Sequence, residues 1–151
     1  MAIQPLTLTN SAFEGLFDGT IQWAAATHVA AILCTSTYDP LLTHSTYADI
    51  TNEVETGEGH DYEPKAVATR TIARNGDDVE FKSDPVSFGA EVTIAAQYLV
   101  LIAGDPANLQ TTDPLIGYVD FGETKSSTGA AFQFTPPASG WFAVTRTPCP
   151  E

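Results

Sequence analysis

Ten consecutive uncharged residues, Thr93-Ile94-Ala95-Ala96-Gln97-Tyr98-Leu99-Val100-Leu101-Ile102, constrain the fold of this chain more than any other stretch. Over part of this run apolar side chains fall on both faces of an extended strand. A strand covered on both faces lies centrally in a sheet. Gly104-Asp105-Pro106 ends the run, and Pro114 to Phe121 reads as the next strand. With 43% hydrophobic and 17% charged residues, 151 residues suffice for one globular domain, here 1–151, with a sizeable core.

The rest of the chain is punctuated on the same scale. His28 to Thr35 reads as a buried strand, broken by Thr37-Tyr38-Asp39-Pro40 because proline cannot donate to a ladder and restricts the residue before it. Leu41 to Asn52 is a long connection with a helical turn at Thr46 to Ile50. Lys65 to Arg74 alternates, meets Asn75-Gly76 and alternates again at Val79 to Lys82, the pattern of a hairpin whose central residues take positive φ. Pro85 to Phe88, Gly129 to Thr135 and Trp141 to Thr145 supply further short strands. The expected fold is all-β, an antiparallel β-sandwich or barrel.

One helix is expected, from Asn10 to Gly19, with a capping residue, apolar Phe13, Leu16 and Phe17 and a closing glycine. Gly15 inside it costs about 1 kcal/mol relative to alanine, so the Phe13/Phe17 face needs something to pack against. The N-terminal arm and helix together span 1–19. Residues 53–63 carry five carboxylates and two glycines, which predicts an exposed, solvated acidic loop.

Charge narrows the partners. Six Lys+Arg against nineteen Asp+Glu give a net charge of -13, which repels phosphate backbones and anionic membranes, so neither nucleic acid nor membrane is an expected partner. The chain has no apolar run of membrane-spanning length, and its first residues lack the pattern of a secretory signal. Cys34 reads as a small core residue and Cys149 lies between two prolines, their pairing being open.

The residues that carry chemistry elsewhere do not form a recognisable constellation here. His28, His44 and His60 lack metal-ligand spacing, and no cofactor or metal is expected. Asp77-Asp78 reads as a turn former rather than an acid and base pair. No phosphate-cradling loop or nucleophile elbow occurs, so the pattern predicts no enzyme. Trp23 and Trp141 read as core or half-buried.

Three segments, in this order, resemble those of a family of tailed-bacteriophage virion structural proteins. The first is the early helix followed by Gly19-Thr20-Ile21-Gln22-Trp23 and the strand at Val29 to Ser36. The second is Tyr47-Ala48-Asp49-Ile50-Thr51-Asn52-Glu53-Val54, its glycine-containing loop and the strand near Lys65. The third is Leu115-Ile116-Gly117-Tyr118-Val119-Asp120-Phe121-Gly122-Glu123 and its Ser/Thr-rich continuation. The resemblance implies a virion component on the capsid exterior, made in the host cytoplasm. It implies either a decoration or cement protein that binds the major capsid protein lattice, or the base of a head fibre. Repeated copies on a symmetric shell favour a homo-oligomer, a trimer first and a dimer second.

The N-terminal segment is the expected capsid or intersubunit contact, through Ile3, Leu6, Phe13, Leu16 and Phe17, unless the helix instead plugs an open end of the sandwich. The other function class is a tail-associated adhesion module that holds host glycans on loop aromatics such as Tyr38, Tyr47 and Tyr62.

Overall fold

The computed structural model describes residues 6–147. Its strands are β1 (Thr7–Leu8), β2 (Ala30–Cys34), β3 (Lys65–Ala66), β4 (Thr71–Asn75), β5 (Asp78–Lys82), β6 (Val86–Ser87), β7 (Val92–Ile102), β8 (Leu115–Ala130), β9 (Gln133–Phe134) and β10 (Phe142–Thr145). One α-helix, α1 (Asn10–Asp18), follows β1, and a 3-10 turn occupies Tyr47–Asp49. The sheets run β1-β8-β7-β2-β3, β10-β5-β4 and β6-β9, and every strand pair in them is antiparallel. The fold is therefore all-β with a short N-terminal helix.

β7 lies at the middle of the five-stranded sheet, and the reason is the two-sided apolar pattern. Leu99 and Leu101 face the main core with Ala31 and Leu33 of β2, while Val100 and Ile102 face a second cluster with Ile32, Cys34 and Leu115. The main core contains residues of all three sheets, with Trp23, Trp141, Phe81, Phe88 and Phe134 among its largest side chains. The second cluster is roofed by Tyr38, Tyr47 and Ile50, from the long connection that follows β2, and by Leu109, from the connection that follows β7.

Local expectations fare unevenly. The helix is present, but its N-cap is Thr9, whose Oγ1 accepts from Ala12 N, and Gly19 closes it in the left-handed conformation. The hairpin joining β4 to β5 is present, but Asn75 pairs with Asp78, so the turn is Gly76-Asp77 and only Gly76, at φ 64, has positive φ. Asn75 instead spends its side chain on Glu80 Oε1, at 3.0 Å. The strand expected to stop at Phe121 continues to Ala130, because the Ser/Thr-rich stretch keeps pairing with β7 across a register shift between Ala96 and Tyr98.

Two sites support stability predictions. Gly117 pairs with Leu8, and a Cβ on it would lie 2.3 Å from Thr7 O, so β1 reaches β8 only because that Cβ is missing. Gly117→Ala is expected to destabilise the protein by about 1–3 kcal/mol, the usual cost of overpacking, read from the urea midpoint. An unchanged midpoint would show that β1 contributes nothing.

Glu80 is buried beside Lys82, with Nζ to Oε2 at 2.6 Å. The Lys82 and Asn75 hydrogen bonds hold its carboxyl below the usual range. A depressed folded pKa stabilises above the unfolded pKa, about 4.3 for glutamate, and that stabilisation is lost as pH falls through the folded value. The stability gap between the parent chain and Glu80→Gln should therefore be present near neutral pH and close in acid. Thermal unfolding of both across pH checks it, and a gap independent of pH would contradict it.

Candidate docking surface

α1 stands on small residues. Ala12 and Gly15 are its buried positions, and a Cβ on Gly15 would press on Ile21 Cγ1 at 3.1 Å. Gly15 O also accepts from Ile21 N at 2.9 Å, which folds the following segment back under the helix. The glycine that weakens the isolated helix is thus what lets it lie flat. Thr9 is buried and its hydroxyl also reaches Leu115 O, which ties the N-terminus of α1 to β8.

Because the inward stripe is Ala12 and Gly15, the aromatic positions turn outward. Phe13 is 51% and Phe17 71% exposed, and the two rings, one helical turn apart, meet edge-on at 5.2 Å. Of the two covers the sequence leaves open for this face, the sheet or a partner, the sheet leaves Phe13 and Phe17 exposed. Leu16 is half-buried against the main core. Leu6 is buried, its N–H bonded to Trp141 O, so it belongs to the fold and not to a contact surface. Ile3 lies outside the described residues.

Other apolar residues gather beside the helix. Asn10 N donates to Leu42 O, which places the exposed pair Leu41 and Leu42 next to the first turn. From Leu16 a groove of about 320 Å³ runs past Ile21 and Trp23 to Ile72 and Phe81. The large hydrophobics exposed among the described residues are Phe13, Phe17, Leu41, Leu42 and Ile72, so each lies on the helix, beside its start or on that groove. Scattered exposed apolar residues are ordinary, whereas a gathered set makes a candidate contact surface. Exposed Glu14 and Asp18 give this surface an acidic rim.

Trp23 and Trp141 are buried. Tyr38 and Tyr62 are also buried, at 3% and 2% exposure, so neither is an open stacking platform, and Tyr47 is half-buried. Asp77 is bonded to Arg146, and Asp78 accepts from Thr145 Oγ1, as turn and strand partners. His44 sits near Tyr38 and His60 beside Glu55, and no group of three or more His, Cys, Asp or Glu suited to a metal occurs among the described residues. Cys34 is a buried free thiol, pushed up in pKa by burial and then by the Glu53 charge. Cys149 lies outside the described residues.

Loop 53–63 is exposed from Glu55 to Gly59 but anchored at both ends, since Val54 and Tyr62 are buried and Val54 N bonds Leu33 O. The anchor is Glu53, whose Oε2 accepts from Tyr47 Oη at 2.8 Å and whose Oε1 accepts from Tyr62 Oη at 3.1 Å. Burial and the Glu53 hydrogen bond push Tyr47 up to about 12, and burial raises Tyr62 further, so both phenols remain protonated donors. A composition count of acidic residues does not distinguish Glu53 from its solvated neighbours. No helix among the described residues is long and apolar enough to cross a membrane. Comparisons with protein-family models, curated proteins and solved structures find no match.

Proposed function

We propose that the chain is a non-enzymatic structural component of a tailed-phage virion, a decoration or cement protein on the capsid exterior that docks on the major capsid protein lattice. The observation that carries this reading is the gathering of exposed apolar side chains on and around α1, led by Phe13 and Phe17. The resemblance of the three sequence segments supplies the identity of the partner. A lattice exists only in the assembled head, so a protein that binds it stabilises assembly over disassembly by mass action. A small β-fold braced on both faces of its central sheet suits that task, because it presents a short helix on a stiff base. A homotrimer is the leading arrangement, with a dimer as the alternative.

The competing reading, a head-fibre base or tail-associated module that holds glycans on loop tyrosines, loses two of its three platforms to burial. The deciding experiment is co-sedimentation of the purified chain with undecorated heads of the parent phage, with its native mass measured by light scattering. Saturable binding of a defined oligomer is expected. Failure to bind heads at any concentration would overturn the cement reading.

A further inference from the structure

Far from α1, a cleft of about 500 Å³ opens between loop residues 52–60, the β7 residues Thr93–Ala95 and the β8 residues Ser126–Thr128. Gly117 of β8 pairs with β1 just before α1, and Ser127 lies ten residues further along the same strand. At about 3.3 Å per residue that is on the order of 30 Å, so the cleft and the docking surface occupy opposite ends of the five-stranded sheet. Its volume falls within the span of small-ligand sites, roughly 300–1,000 Å³.

The lining is mixed in a particular way. Glu53, half-buried, presents a carboxylate fixed from behind: Leu33 N donates to Tyr62 Oη, which donates to Oε1, while Tyr47 Oη donates to Oε2. Each oxygen is thereby held in place with a lone pair left over. Across the cleft, Ser127 Oγ is committed to Val92 O and Thr93 Oγ1 accepts from Gly129 N. Ser126 and Thr128 are exposed, and no hydrogen bond within the described residues engages their hydroxyls. Ala95 adds exposed apolar surface over the buried Val54 and Ile94, and the lining includes no lysine or arginine.

A ligand for such a cleft offers hydroxyl donors to a fixed carboxylate, accepts from and donates to serine and threonine, and lays a C–H face on aliphatic side chains. We propose that the cleft is a binding site for a neutral pyranose sugar. Anionic sugars are disfavoured, because Glu53 and Glu55 repel them, the lining has no lysine or arginine, and its one imidazole, His60, already sits 3.3 Å from Glu55. The absence of an aromatic platform from the lining keeps the single-site affinity weak, on the order of 1 mM. The site is independent of capsid docking and uses none of its residues.

The test is an amide chemical-shift titration of the full chain with methyl glucoside, methyl galactoside, methyl mannoside and N-acetylglucosamine, alongside N-acetylneuraminic acid and spermidine. At least one neutral sugar is expected to give saturable shifts centred on Thr93 to Ala95 and Ser126 to Thr128, with none from the acidic sugar. Glu53→Gln should weaken binding about tenfold or more, and the pair Ser126→Ala with Thr128→Val, at exposed positions, should weaken it severalfold in a chain that folds normally. A Phe13→Gln/Phe17→Gln chain should bind sugar unchanged, which separates this site from the docking surface. No shift by any neutral sugar at about 100 mM, a hundred times the expected Kd, would overturn the proposal. So would saturable shifts from spermidine alone, because the cleft would then be a cation site.

Discussion

Replacing Phe13 and Phe17 together by glutamine is expected to reduce binding to undecorated heads by at least about thirtyfold, with the melting temperature changed by no more than a few degrees. The two effects separate because of where the rings stand. At 51% and 71% exposure they are only partly covered by their own chain, and they meet each other edge-on. Losing one helical i, i+4 pair costs about 0.2–0.5 kcal/mol, and glutamine is a good helix former. Aromatic anchors at the centre of an interface, by contrast, commonly contribute 2 kcal/mol or more each, and 2 kcal/mol is about thirtyfold in Kd. Co-sedimentation and a thermal melt on the same preparation read both quantities. Unimpaired binding by the double variant would remove the helix from the contact. A collapsed melt would mean instead that the rings pack within an oligomer of this chain.

The reach of the sequence stops where structure becomes non-local. The position of β7 is legible because both of its faces carry apolar residues, and the β4–β5 hairpin is legible because alternation meets a glycine turn. The extension of β8 past Gly122 is not, since Ser, Thr and Gly ordinarily mark turns and only pairing with β7 across a register shift keeps them extended. The helix is legible in extent, but its inward face is not. Helical periodicity gathers Phe13, Leu16 and Phe17 on one face without saying whether it turns to the sandwich or away from it, and the close approach of Ile21 selects Ala12 and Gly15 as the inward stripe. Leu6 shows the converse, reading as part of a free arm while its N–H closes on Trp141, 135 residues away. The sugar cleft draws on four separated segments, and what distinguishes Glu53 from the acidic residues around it is two tyrosines brought there by the fold.

Trp23→Ala is expected to be the most damaging single change in the chain. The indole is 1% exposed and meets Phe81, Trp141 and Phe142 edge-on at 6.4, 6.5 and 5.7 Å. Its Nε1–H donates to Lys82 O at 3.1 Å, and its own carbonyl accepts from Arg70 Nε at 2.7 Å. It therefore joins the segment under α1 to β5 and β10, elements that otherwise meet the helix through no strand pairing. Truncating a buried tryptophan costs about 3–5 kcal/mol in cavity and transfer terms, and Lys82 O also loses its indole donor. Against a total stability of about 5–15 kcal/mol this is a large fraction, and at roughly 2–4 °C per kcal/mol it lowers the melting temperature by about 6–20 °C. Urea unfolding checks it, and a loss under about 1 kcal/mol would show that the three-stranded sheet is not held through this side chain. Trp23→Phe restores most of the volume but not the donor, so it should recover more than half of the loss. Trp23 also walls the groove beside Leu16, so the alanine variant, measured cold enough to remain folded, separates two contributions to head binding. Retained affinity would assign the contact to Phe13 and Phe17 alone, and a further drop would extend it along the groove to Ile72.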